Sequence, residues 1–315
     1  MSASDLLAGD RDHEVVATTA LIRAKVLPVT RLAAVIEYVG SAVKLVQLQE
    51  EDRLFAPADV THDLVGAVTP EQLSSATRDV ANWRKQDYAI HTVLDPEYPA
   101  ALLAIFNRPP LLFIAGRWEG AESQRAVAVV GTRKATPDGV RRAQRLTRAL
   151  VQARFTILSG LAAGIDTAAH TTALETGGQT SAVMGTGLNR RFPGQNAALA
   201  DRIIQAGGAL ISQFFPPQPP ATWTFPMRNV VMSGLSLATV VVEAGETSGA
   251  RLQARVALQH GRTVFLLQSL VEQHEWAARY ATEGAYGTNA IVISSPDEII
   301  ERLEGRLEPS PIAAA

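Results

Sequence analysis

Four short segments of the chain combine glycine with hydroxyl or cationic side chains. They are Gly131-Thr132-Arg133-Lys134, Ser159-Gly160 running on to Gly164 and Asp166, Gly185-Thr186-Gly187, and Thr247-Ser248-Gly249. The chemistry open to such segments is anion binding. Glycine lets the main chain approach a ligand closely. Threonine and serine offer hydroxyls, and Arg133 offers a planar fork of donors matched to phosphate oxygens. Taken alone, Gly131 is equally well read as turn chemistry. Four such turns in one chain are harder to explain that way, and a phosphate-bearing ligand is the expectation. The pattern is neither the G-x-G-x-x-G dinucleotide fingerprint nor a P-loop. A fifth segment, Phe225-Pro226-Met227-Arg228-Asn229, opens a helix after a proline-rich loop, where Arg228 could face the same ligand.

Catalytic chemistry has less support. The histidines (13, 62, 91, 170, 260 and 274) show no metal-ligand spacing, and no nucleophile elbow is present. There is no cysteine, which excludes thiolate catalysis, disulfides and Cys-based zinc sites. No metal and no cofactor are expected. His170 follows Asp166 by four residues, so a helix-stabilising Asp–His contact is the default reading. Glu243 has three readings: acid or base, partner of a sugar hydroxyl, or cap of a main-chain amide.

The elements that must position these residues are legible from residue 126 onward. AVAVVG, FTILSG, SAVMG, ALISQF, ATVVVEA, TVFLLQ and AIVISS are short, β-branched apolar runs suited to strands buried on both faces. Helical stretches alternate with them, among them DGVRRAQRLTRALVQA, GIDTAAHTTALET, NAALADRIIQA, GARLQARVALQH and SPDEIIERLE. The alternation predicts an α/β fold with right-handed crossovers and a doubly wound, mostly parallel sheet. Ligands of such sheets sit at the carboxyl ends of the strands, where the glycine turns fall. VEQHEWAARYATEGAYG reads as one further helix. Arg141, Arg145 and Arg148 share a helix face read as solvated rather than ligand-binding, and Arg251 and Arg255 are read with the same caution.

Upstream, residues 13–90 read as mostly helical, with Thr69 and Pro70 as a cap and first-turn proline. This predicts a small helical domain over residues 1–85; tandem short helices can grip DNA backbones, but the segment is acidic and reads at least as well as a packing or partner element. Ile90–Val93 and Leu111–Ile114 read as extended lead-ins to a second domain over 86–305, and 306–315 as a disordered tail.

The chain has 315 residues, 47% of them hydrophobic, as a soluble globular protein would. The opening residues are acidic where a secretory leader is basic, and no run of about 18 uncharged apolar residues exists. A cytoplasmic location without membrane association is expected. The net charge of -2 conceals an asymmetry. Residues 1–125 carry 12 basic and 17 acidic side chains, 126–260 carry 13 and 6, and 261–315 carry 4 and 8. A basic middle between acidic flanks fits a polyanion site or an ordinary solvated surface.

In their order, the motifs resemble the DNA-processing protein A family, also called DprA or Smf. The resemblance is carried by VAVVGTRKATPDG, LSGLAAGIDTAAH, ALETGGQTSAVMGTGLNRRFPGQNAALADRI, GGALISQFFP, FPMRNVVMSGLS and VVVEAGETSGARLQARVALQHGRTVF. DPEYPALLAIFNRPPLLFIAG is similar to the family's entry segment. The resemblance implies an extended Rossmann-like fold, non-enzymatic, that binds single-stranded DNA in transformation, protects it and helps load a RecA-type recombinase, as a homodimer. It places Gly131, Arg133, Gly160, Arg228, Asn229, Ser248 and Gly249 along the DNA groove. The turns add Thr132, Lys134, Ser159, Gly185 and Thr186 as phosphate-binding candidates. Met227 and Val230 stand where the family often carries further bases, and the family's Pro-Gly loop is replaced by Leu267-Gln268-Ser269. The alternative is a nucleotide sensor or phosphoribohydrolase-like protein of the same Rossmann-like group; a third reading is an adaptor working through its helical segment.

Overall fold

The computed structural model describes residues 11–48, 63–118 and 125–307. Its centre is a nine-stranded sheet built where the apolar runs fall: β1 (Ala89–Thr92), β2 (Leu111–Gly116), β3 (Ala126–Val130), β4 (Thr156–Ser159), β5 (Thr180–Val183), β6 (Ala209–Ser212), β7 (Ala238–Val241), β8 (Thr263–Leu267) and β9 (Ile291–Ile293). Every residue of β3 to β7 is buried, which is why these runs show no polar alternation. The period of two survives in what each residue touches. Ala126, Ala128 and Val130 join one apolar cluster while Val127 and Val129 join another, because successive side chains leave opposite faces.

The strand order is β1-β2-β6-β5-β4-β3-β7-β8-β9. Strands β3 to β9 pair in parallel, and β2 pairs antiparallel with both β1 and β6. The parallel part therefore starts at β3 in its middle, winds outward through β4, β5 and β6, then returns to lay β7 against the other side of β3. The crevice between β3 and β7 is the topological switch point, where such sheets hold ligands.

Helices cover both faces. On one lie α6 (Pro137–Gln152), α7 (Ile165–Glu175) and α13 (Pro296–Leu307), through Leu146, Leu150, Ala169 and Leu303 among others. On the other lie α9 (Thr224–Leu235), α10 (Gly249–Gln259), α11 (Gln268–Gln273) and α12 (Glu275–Thr282), through Met232, Leu235, Leu258, Leu270 and Trp276. Helix α6 starts where Thr136 accepts a hydrogen bond from the Gly139 amide and Pro137 sits in the first turn. The single helix expected after β8 is two, interrupted at His274, whose extended backbone (φ -135°, ψ 121°) cannot continue a helix.

The N-terminal segment is helical as expected: α1 (Arg11–Ala24), α2 (Val29–Val39), α3 (Ala42–Val46) and α4 (Pro70–Arg84). Gly40 ends α2 in the left-handed conformation at φ 75°, and Thr69 with Gln72 forms a reciprocal cap on α4. These helices share the sheet's core. Val15, Val80 and Trp83 pack with Phe113 of β2, and Trp83 meets Phe113 edge-on at 5.2 Å between ring centres. A short α5 (Ala100–Leu103), a 3-10 turn (Gly194–Asn196) and α8 (Ala197–Gln205) are the remaining named elements. The expected tail lies outside them from residue 308 on. Among the described residues, no helix is long and apolar enough to cross a membrane.

Candidate nucleic-acid interface

At the switch point the structure opens a pocket of about 390 Å3. That is near the lower end of the roughly 300–1,000 Å3 typical of ligand clefts. Strand β3 delivers Gly131, Thr132 and Arg133 to it, the turn after β7 delivers Thr247, Ser248 and Gly249, and α9 delivers Phe225, Arg228 and Asn229. Ser248 caps α10 by accepting from the Arg251 amide. The two amides before that one, on Gly249 and Ala250, are the orphan donors every helix start leaves, and both residues line the pocket. A helix N-terminus facing an open pocket favours an anion there. Arg133 is exposed and has no carboxylate partner among the described residues; its guanidinium lies over the Phe225 ring at 5.1 Å. A ring, a cation and helix amides without a partner among the described residues thus converge on one open space. Lys134 lies outside it, exposed, its amide bonded to the Thr132 hydroxyl.

The turns after β4 and β5 are built differently. Ser159 is fully buried and its hydroxyl donates to the Val129 carbonyl. The amides of Gly160 and Ala162, the donors a phosphate would use, are bonded to the Asp166 carboxylate at 3.1 and 3.3 Å. An internal anion occupies this helix start. Gly160 also sits against the Arg228 guanidinium, which donates from Nη1 to the Gly160 carbonyl (2.8 Å) and the Val183 carbonyl (2.9 Å). Arg228 is 8% exposed, so it is a strut between two strand ends that shows only an edge to the pocket. Burial pulls its pKa down and the Asp166 charge opposes that; burial raises the Asp166 carboxyl against Arg228 and the two amides. Gly185 is pressed against the Phe225 ring, and the buried Thr186 hydroxyl donates to the Arg190 carbonyl. None of Ser159, Gly160, Gly185 and Thr186 lines the pocket.

Asn229 links the halves, accepting from Arg228 Nε and donating to the Gly249 carbonyl. The three readings of Glu243 resolve to capping. Its carboxylate takes the Thr136 amide and hydroxyl at the start of α6, while its carbonyl accepts from the Thr132 amide at 2.7 Å. The expected Asp166–His170 contact is not made, because Asp166 turns to the loop amides instead. His170 Nδ1 meets Thr180 Oγ1 at 2.7 Å. Since that hydroxyl already donates to the Ile157 carbonyl, Nδ1 must carry the proton, leaving Nε2 buried and unpartnered. Burial pushes the His170 pKa down to about 3, so the ring is neutral.

Arg141, Arg145 and Arg148 lie on the exposed face of α6, with Arg141 paired to Asp138. Arg251 is paired with Glu246, and Arg255 bonds the Tyr286 hydroxyl. Met227 and Val230 are half-buried, Val230 packing on the core. Sequence reasoning missed Phe225 and Gln253 as pocket residues. Gln253 donates to Thr239, and its Oε1 is buried without a partner. Phe225 stands two residues after Trp223 at the head of a helix, an aromatic pair that packing usually explains; only the Arg133 contact marks it out.

With this geometry in view, the sequence matches the family model of DNA recombination-mediator protein A over residues 89–304. The chain belongs to this family. The recombination-mediator match spans β1 to α13 and so includes every wall of the pocket. Protein Smf of Escherichia coli is 39% identical over 212 residues, covering 66% of this chain and 54% of Smf. The chain spans about half the length of the first curated relatives it matches. The X-ray structure of DprA from Streptococcus pneumoniae superposes with a TM-score of 0.69 at 27% identity, covering 93% of this chain and 97% of that one. DprA from Helicobacter pylori, whose structure concerns its single-stranded DNA binding mode, superposes with a TM-score of 0.60 at 24% identity over 70% of this chain and 96% of its own, a likeness of fold.

Proposed function

We propose that the chain binds single-stranded DNA non-enzymatically along the carboxyl edge of its sheet, in DNA uptake and recombination, protecting the strand and assisting a RecA-type recombinase. The observation that carries this reading is the switch-point pocket, where Arg133 over Phe225 faces the free α10 amides. A cation for the backbone phosphate, a ring for a base and bare amides at a helix start are what sequence-tolerant strand binding uses. The family's printed description, a DNA recombination mediator, gives the biological direction. The reading extends to a cytoplasmic location and to a homodimer, by which two such edges would share one strand. A nucleotide-processing enzyme is less well supported, because Glu243 is committed to the start of α6 rather than free for proton transfer.

The test is binding of an oligothymidylate across a salt series, with wild-type chain and Arg133→Ala. Wild-type affinity should fall with salt, and the variant should bind roughly tenfold more weakly, the loss of one charge-assisted contact. Its logarithmic salt slope should be shallower by about 0.7. Arg133 is exposed, so thermal stability should stay within about 0.5 kcal/mol. Salt-insensitive binding, or an unchanged Arg133→Ala, rejects the reading; strong stabilisation by a mononucleotide with none by the oligonucleotide would favour a nucleotide sensor.

A further inference from the structure

A second cavity of about 230 Å3 lies between the end of α1 and the start of α9. Its walls include Arg23 and Lys25 from α1 and the residue after it, Leu111 of β2, Phe214 and Trp223 from the stretch between β6 and α9, and Met227 of α9. Trp223 is 51% exposed and meets Phe214 edge-on at 5.7 Å. Leaving so large a ring half in water is unusual for a fold that buries Trp83 and Trp276 almost completely. The charge here has one sign. No acidic residue lines the cavity, Arg23 is held by Asp79 at 2.6 Å, and Lys25 is exposed with no partner among the described residues. Lys25 has a positive φ of 55°, a left-handed turn that ends the helix.

Helix α9 joins this cavity to the switch-point pocket. Its start presents Trp223 and Met227 to the one, and Phe225, Pro226 and Arg228 to the other. From one cavity to the other the chain offers Arg133, Phe225, Trp223 and Lys25: cation, ring, ring, cation. The volume is too small for a whole drug-sized ligand and suits one planar group. We propose that this cleft is a second nucleotide subsite for the same single strand, taking an unstacked base against Trp223 with its phosphate at Lys25. The proposal rests on the reading of the switch-point pocket and gives the helical N-terminal segment a direct share in the strand's path.

The experiment compares short and long oligothymidylates, about 4 and about 16 nucleotides, the span of site sizes seen in single-strand grooves. The full chain is tested as wild type, Trp223→Ala, Trp223→Phe, Lys25→Asn and Arg133→Ala; asparagine removes the charge at residue 25 while tolerating its left-handed backbone. Trp223→Ala should weaken the long oligonucleotide roughly fivefold or more, the loss of one stacked base, and leave the short one unchanged. Trp223→Phe should recover most of that loss. Lys25→Asn should make the long oligonucleotide's logarithmic salt slope shallower by about 0.7. If Trp223→Ala and Lys25→Asn bind both lengths like wild type while Arg133→Ala weakens both, the cleft is overturned and the switch-point reading stands. Equal weakening of both lengths by Trp223→Ala would also overturn it, since the effect would then act through α9. If the wild type binds neither length, both readings fall together.

Discussion

The turns after β3 and β4 are neighbours on one sheet edge and share a composition, yet they do opposite things. After β3, Gly131-Thr132-Arg133 leaves its cation free and faces the unpaired amides of Gly249 and Ala250. After β4, Ser159-Gly160 has every donor spoken for, with Asp166 on its amides and Arg228 on its carbonyl. The difference lies in which charges the protein has internalised. Where an acidic side chain and a buried guanidinium fill a helix start, the turn is part of the framework. Glu243 likewise fills the start of α6, whereas the start of α10 has neither and opens on the pocket. A glycine, in this comparison, marks close approach and says nothing of whether the approaching group belongs to the protein or to a ligand.

The largest effect is expected from Gly160→Ala. A Cβ there would collide with the Arg228 guanidinium, which cannot swing away without leaving the Gly160 and Val183 carbonyls and stranding Asp166. Overpacking costs about 1–3 kcal/mol, and breaking a buried charge arrangement about 3–5 kcal/mol. Most of the stability of a domain of ordinary ΔG should go, seen as a collapsed urea midpoint or failure to express in soluble form. A variant that unfolds at the wild-type midpoint would show that Arg228 is not a strut.

Much of this organisation is legible in the sequence. The seven parallel strands fell on the seven apolar runs, because strands buried on both faces leave unbroken β-branched segments. That the pocket lies at the carboxyl ends of the strands followed from the alternation of strands and helices, but that it opens between β3 and β7 needed the strand order, which no apolar run reveals. Less legible was the division of labour among polar residues. Arg228 and Arg133 are the same residue type, and only the depth at which α9 sets Arg228 against the ends of β4 and β5 makes one a strut and the other a surface cation. Asp166 is the sharpest instance. Helical spacing pointed it at His170, but the carboxylate turns back to the amides of Gly160 and Ala162 in the loop that leads into the helix. Phe225 escaped notice because an aromatic at a helix start carries no charge or glycine to flag it.

A smaller effect should appear on acidification, and it belongs to the closed side. His170 is fully buried and its pKa is lowered from 6.5 to about 3, so the unfolded chain binds a proton that the folded chain refuses. Its stabilising contribution is complete above pH 6.5 and is lost as pH falls from there toward 3. The expected loss is about 1.4 kcal/mol per pH unit for this one ring. His260, lowered to about 4 by burial, acts in the same direction. Urea unfolding between pH 7 and 5 should show the decline, and His170→Gln should flatten it. Equal slopes in wild type and variant would mean that His170 titrates alike in both states.

The gentlest probe lies on the open side. A Cβ added at Gly249 meets nothing within 4 Å, in contrast to Gly160. Gly249→Ala should therefore keep wild-type stability to within about 0.5 kcal/mol. The new methyl would nevertheless stand at the first residue of α10, beside the two free amides and in the space a phosphate would take. Single-strand affinity should drop by a few-fold, less than for Arg133→Ala, because the donors remain and only their approach is narrowed. Calorimetry paired with oligonucleotide titration checks both halves. Unchanged stability with weakened binding would separate the ligand-facing glycine from the framework glycine, whereas unchanged binding would move the strand's path away from the start of α10.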